Sequence, residues 1–97
     1  MIPSTQDIIK AAADYYDVTT DDILSPSRAS RVSEARGVAC YLMQLIRHMT
    51  SVEAGAAVNR SHSTVLHHTH NIVIALIRGD RRVTQAVRHL KEQLGHG

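Results

Sequence analysis

The chain has no tryptophan and no phenylalanine, and its three aromatic residues are Tyr15, Tyr16 and Tyr41. So sparse a set excludes a stacking platform for single-stranded nucleic acid, which needs several rings side by side. The single cysteine, Cys40, excludes an intrachain disulfide and a multi-cysteine zinc site, and it sits in an apolar stretch where a small hydrophobe serves. No apolar run approaches the roughly 18 residues of a membrane span, and Met1 to Lys10 lack the basic-then-apolar order of a signal peptide. A cytoplasmic chain without a membrane span is the expectation. Also missing are a glycine-rich phosphate loop and an HExxH pair, so neither ATP use nor zinc catalysis is expected. With 97 residues, of which 43% are hydrophobic and 21% charged, what remains is one folded domain covering residues 1–97.

Charge is unevenly placed. Residues 1–22 carry five acids (Asp7, Asp14, Asp17, Asp21, Asp22) against Lys10, whereas residues 23–97 carry ten bases against four acids. Nine of those ten bases are arginines, whose planar forks suit phosphates and guanine edges. The basic part is a candidate anion-binding surface, and with stacking excluded the nucleic acid it suits is duplex DNA.

Apolar spacing predicts helices throughout, an all-α domain of about five to six. Ser4 or Thr5 caps a first helix to about Tyr16, and Thr19 to Leu24 reads as a short capped turn that Pro26 prevents from continuing. A loop from Ser25 to about Ser30 carries Arg28, with Arg31 at its edge. A central helix from about Val32 to Met49 buries Ala35, Val38, Ala39, Leu42, Leu45, Ile46 and Met49. Thr50-Ser51-Val52-Glu53 fits a capping box for a short helix to about Ala57. After a turn at Val58-Asn59-Arg60, Ser61 caps a longer helix with Val65, Leu66, Thr69, Ile72, Val73, Leu76 and Ile77 inward and Ser63, Thr64, His67, His68, His70, Asn71 and Ile74 outward. Asp80 caps a last helix that Gly95 stops.

A short helix rich in small residues, a three- or four-residue turn, and a long helix with a polar outer N-terminal end make a helix-turn-helix pattern over about residues 50–78. In such a unit the start of the second helix enters the major groove, where Ser, Thr, His and Arg reach base edges.

Several blocks add a resemblance: Ala12-Ala13-Asp14-Tyr15-Tyr16-Asp17-Val18, Asp22-Ile23-Leu24-Ser25, Arg28 to Val32, Ala35 to Leu42, and above all His62-Ser63-Thr64-Val65-Leu66-His67. Over about Asp7 to Leu94 the chain resembles the C-terminal DNA-binding domain, domain IV, of the bacterial replication initiator DnaA, whose helical fold is similar to that of Trp repressor. The resemblance implies that Arg28 enters the minor groove, that Arg36 contacts a phosphate and sets docking register, that Arg60 is a further phosphate contact, and that His62, Ser63 and Thr64 meet bases. With Arg31, Ser61, His67 and His68 these complete the candidate DNA-binding set.

Departures from the family pattern stand at Gly37, where Gln is typical, at Val58-Asn59 and Ser61, where a glycine pair and an acid are typical, and at His68, where a small residue is typical. They point to an altered or relaxed sequence preference. Because the family's ATPase domain precedes this one, the expectation is either an excised domain or a stand-alone regulator of replication or transcription. The alternative is a protein-interaction module in which the acidic first helix and Tyr15-Tyr16 bind a partner or a second copy, with the arginines merely solvated. The cluster of His62, His67, His68 and His70 is read as groove-facing or partly buried, not as a metal site, and Ser61 or Ser63 beside His62 as cap chemistry, not a catalytic pair.

Overall fold

A computed structural model describes residues 2–95. Six helices follow in order: α1 (Thr5–Tyr16), α2 (Thr20–Leu24), α3 (Ser30–Arg47), α4 (Ser51–Val58), α5 (His62–Ile77) and α6 (Arg81–Gln93), with no strand among the described residues. The all-α expectation is met, and element boundaries move by at most two or three residues. None of the helices is long and apolar enough to cross a membrane.

Local chemistry places the helix starts. Ser4, Thr19 and Thr50 each accept an N–H from the third helical residue while Asp7, Asp22 and Glu53 reach back to the cap N–H, so three helices open on reciprocal capping boxes. These bonds hold the Glu53 carboxyl below its usual pKa, the backbone bond contributing most. Ser61 and Asp80 cap α5 and α6 through single bonds to Thr64 N and Val83 N. Helix ends close with left-handed residues at Asp17, His48 and Asn59, and with Gly95 after α6.

Helix α3 runs through the centre and packs on every other helix. Six consecutive residues, Ala35 to Cys40, are buried, so this stretch has no solvent face at all. Ile8 and Ala12 of α1, Ile23 of α2, Val58 of α4, Val65 of α5 and Leu90 of α6 close around it. Enclosure pushes the Cys40 thiol up to about 12, its desolvation outweighing the nearby arginines. We expect Cys40 to resist alkylation by iodoacetamide at pH 8 in the folded protein and to react at once in denaturant; equal rates would contradict its burial.

One part of the predicted core is corrected. Leu66, Val73 and Ile77 were expected inward, yet they are 52%, 39% and 80% exposed. Of the expected row, Val65, Thr69 and Ile72 are buried and Leu76 half-buried at the next step, while Ile74, expected outward, is half-buried as well. The displaced residues lie one step round the helix, and Leu66 and Val73 edge an open groove against Tyr41, Gln44 and Leu45 of α3. Thr69 keeps its inward place because its hydroxyl donates to the Val65 carbonyl at 3.0 Å.

Candidate nucleic-acid interface

Helices α4 and α5 meet through Asn59, Arg60 and Ser61. Asn59 takes φ 59°, ψ 44°, and its N–H and that of Arg60 both donate to the Gly55 carbonyl, the latter at 2.8 Å. The chain doubles back so tightly that a Cβ on Gly55 would overlap the Arg60 carbonyl oxygen. Glycine at 55 is therefore a condition of the turn.

Loop 25–29, between α2 and α3, is pinned by its own serines. Ser25 Oγ donates to the Asp22 carbonyl at 2.6 Å, Ser27 N–H donates to Ser25 Oγ at 3.2 Å, and Ala29 N–H donates to Ser27 Oγ at 3.3 Å. Between these pins the Arg28 side chain stands exposed. The loop and the α4–α5 turn are also joined: Arg60 Nη2 donates to the Ser25 carbonyl, and Asn59 Nδ2 donates to that of Leu24 at 3.3 Å.

Arg36 corrects the sequence expectation most sharply. A phosphate contact requires an exposed guanidinium, and Arg36 is 1% exposed. Its Nε donates to the Ile23 carbonyl at 2.7 Å, Nη1 to Ser27 at 3.1 Å, and Nη2 to Ser25 at 2.8 Å and Asp22 at 3.2 Å. The cation thus sits at the carbonyl end of α2, where a helix concentrates negative potential. Burial first, and then the neighbouring Arg60, lower its pKa, though a guanidinium keeps its proton in any folded protein. Arg36 holds the loop to α3.

The remaining candidates divide by place. A cleft of about 450 Å³ gathers Arg28, Arg60, Thr64, His67 and His68, with Pro26 and Ser33 beside them and Arg36 at its floor. His62 and Ser63 stand exposed on the first turn of α5, and neither side chain makes a hydrogen bond among the described residues. Ser61 is exposed too, but its hydroxyl is engaged, accepting from Thr64 N–H at 3.3 Å and lying 3.0 Å from Thr64 Oγ1. The hydroxyl makes the cap expected of it, at the exposed start of α5. Arg31 does not enter the cleft; it lines a neighbouring groove with Tyr16, Ser30, Glu34 and Arg82.

His68 is half-buried, the root of its side chain over Gly37: a Cβ on Gly37 would stand 3.6 Å from His68 Cβ and 3.4 Å from Ile72 Cγ1. Burial, followed by Arg36, His67 and Arg60, lowers the His68 pKa, so its imidazole is neutral at pH 7 and can accept or donate a hydrogen bond. His67 is exposed and its Nε2 lies 3.4 Å from Asn71 Nδ2. No three His, Cys, Asp or Glu side chains among the described residues are grouped as a metal site. Sequence reasoning missed Asn59, whose side chain ties the turn to the end of α2; its only signal was its tolerance of left-handed backbone.

Comparison with known proteins agrees with this arrangement. Residues 5–72 match the model of the bacterial DnaA protein helix-turn-helix. The chain is 32% identical over 95 residues to the chromosomal replication initiator protein DnaA of Nostoc punctiforme, covering 97% of this chain and 20% of that protein. It is 34% identical over 84 residues to the DnaA of Aquifex aeolicus, covering 86% and 20%, and 36% identical over 90 residues to that of Nitrobacter hamburgensis, covering 92% and 19%. It spans about a fifth of the length of these curated relatives. With a buried arginine joining the loop to α3, a glycine-dependent turn and a polar first turn on α5, all inside the matched region, the chain belongs to the bacterial DnaA helix-turn-helix family.

Proposed function

We propose that this chain is a single domain that binds duplex DNA at a chosen sequence, through a helix-turn-helix at about residues 50–78, in replication initiation or its regulation. The observation that carries this reading is the cleft that brings Arg28, from the loop, beside Arg60, Thr64, His67 and His68 at the start of α5. In this reading His62, Ser63 and Thr64 enter the major groove and Arg28 the adjacent minor groove, where a guanidinium is drawn to the deep negative potential of A·T-rich sequence. Arg60 and the first-turn N–H groups of α5 take phosphate oxygens. The domain binds and does not catalyse, and it works where the chromosome is, in the cytoplasm.

Fluorescence anisotropy tests this against duplexes carrying an initiator-type box and scrambled duplexes of equal length. Ser63→Ala and Thr64→Val are expected to change the preference between the two by roughly 1–3 kcal/mol per lost base contact. Arg28→Gln, which breaks no hydrogen bond among the described residues, is expected to weaken binding most where the adjoining minor groove is A·T-rich and to reduce the slope of log K against log salt by about 0.9. Equal losses on every sequence for all three variants would remove the assignment of α5 as the reading helix.

A further inference from the structure

Three grooves lie edge to edge along α3, the first two against α5 and the third against α1 and α6. The cleft holding Arg28 and Arg60 shares Ser33, His67 and His68 with the next groove, which also reaches Val83 at the start of α6. That groove shares Glu34 with a third, of about 330 Å³, which contains Arg31 and Arg82. The surface is therefore continuous from the turn before α5 to the first turn of α6.

Two cations stand at its far end. Arg31 is exposed and makes no hydrogen bond among the described residues. The Arg82 side chain is 77% exposed, yet its Nη2 donates to Glu34 Oε1 at 2.8 Å, which fixes the guanidinium across the groove. Glu34 cancels one of the two charges and leaves the groove net positive. A guanidinium oriented by a carboxylate still presents its other N–H groups to a second acceptor, and phosphate oxygens match that fork.

We propose that the groove of Arg31 and Arg82 is a second seat for the DNA backbone, taking phosphates of the duplex beyond the segment read by α5. This rests on the DNA-binding reading above. The molecule measures 30 × 28 × 24 Å, so at about 3.4 Å per base pair its long dimension matches roughly nine base pairs. A duplex of about 20 base pairs therefore reaches past both grooves wherever along it α5 is seated.

Salt titrations on a box-bearing duplex of about 20 base pairs test the inference. With Arg31→Gln/Arg82→Gln the log K against log salt slope is expected to fall by about 1.8, with Arg31→Gln alone giving about 0.9. The single variant breaks no hydrogen bond among the described residues, so it decides the matter even where loss of the Glu34 ion pair disturbs the fold. An unchanged slope for both variants would overturn the second seat while leaving the main reading intact. Failure of the wild-type chain to bind the duplex would overturn both.

Discussion

Arg36→Ala is expected to lower the stability of the domain by roughly 3 kcal/mol or more, a large part of the 5–15 kcal/mol that holds a domain folded. Four carbonyls, of Asp22, Ile23, Ser25 and Ser27, lose the Arg36 donor together, and although Ser25 Oγ still serves Asp22 and Arg60 still serves Ser25, the carbonyls of Ile23 and Ser27 lose the side-chain donor that held them. At roughly 4–8 °C per kcal/mol for a domain of this size, the midpoint of a thermal melt followed by circular dichroism should drop by more than about 12 °C. Arg36→Lys should recover little, since one ammonium cannot span acceptors that a planar fork reaches from three nitrogens. DNA binding should fall with the fold, because the loop that presents Arg28 is held by these bonds. An Arg36→Ala protein that melts like the wild type and loses about one unit of salt slope would instead restore Arg36 to direct phosphate contact.

Gly55→Ala is the second large effect, and two forces of opposite sign compete in it. Alanine is the better helix former by about 1 kcal/mol, so on α4 alone the change would stabilise. Against that, the added methyl meets the Arg60 carbonyl oxygen, which is backbone and cannot swing aside as a side chain does. Overpacking of this kind costs about 1–3 kcal/mol when the surroundings can shift, and here the shift would open the α4–α5 turn. We expect a net loss of stability on the order of 2 kcal/mol, together with loss of specific DNA binding in excess of it, because α5 changes its angle to loop 25–29. Ala56→Gly, at an exposed position of the same helix, provides the contrast: a loss of roughly 1 kcal/mol with binding preference retained. A higher melting point for Gly55→Ala would show that the turn has more room than its geometry indicates.

Much of this fold was legible in the sequence because its helix starts are written locally. Ser4, Thr19, Thr50, Ser61 and Asp80 each cap the helix expected of them, since a cap needs only a side-chain oxygen and the next three residues. The inward face of α5 was less legible. A stripe that includes Val65, Leu66, Ile72, Val73 and Ile77 is wider than the neighbours of α5 can cover, and which edge stays dry depends on where α3 and α4 lie, not on spacing along α5. For Arg36 a signal existed and was outweighed. Three and four residues on stand Ala39 and Cys40, which share its side of the helix and are apolar. An arginine on that side must be buried, but charge and resemblance both argued for the surface. The clustering of Arg28 with Arg60, 32 positions apart in sequence, required the bonds to Ser25 and Leu24 to be seen.

Those bonds bear on how such a chain can vary. The carbonyl of Ser25 accepts from Arg36 and from Arg60 at once, so the loop and the turn before α5 are anchored to a single oxygen. Side chains between Ser25 and Ala29 that make none of the pinning bonds are open to exchange, and with them the sequence that is preferred. An inserted or deleted residue has no such freedom, for it would move Arg28 relative to α5 by up to about 3.8 Å, the distance between successive Cα atoms and more than the roughly 3.4 Å between stacked base pairs. In this segment diversity is expected in letters, with the count of residues between the anchor and α3 held fixed.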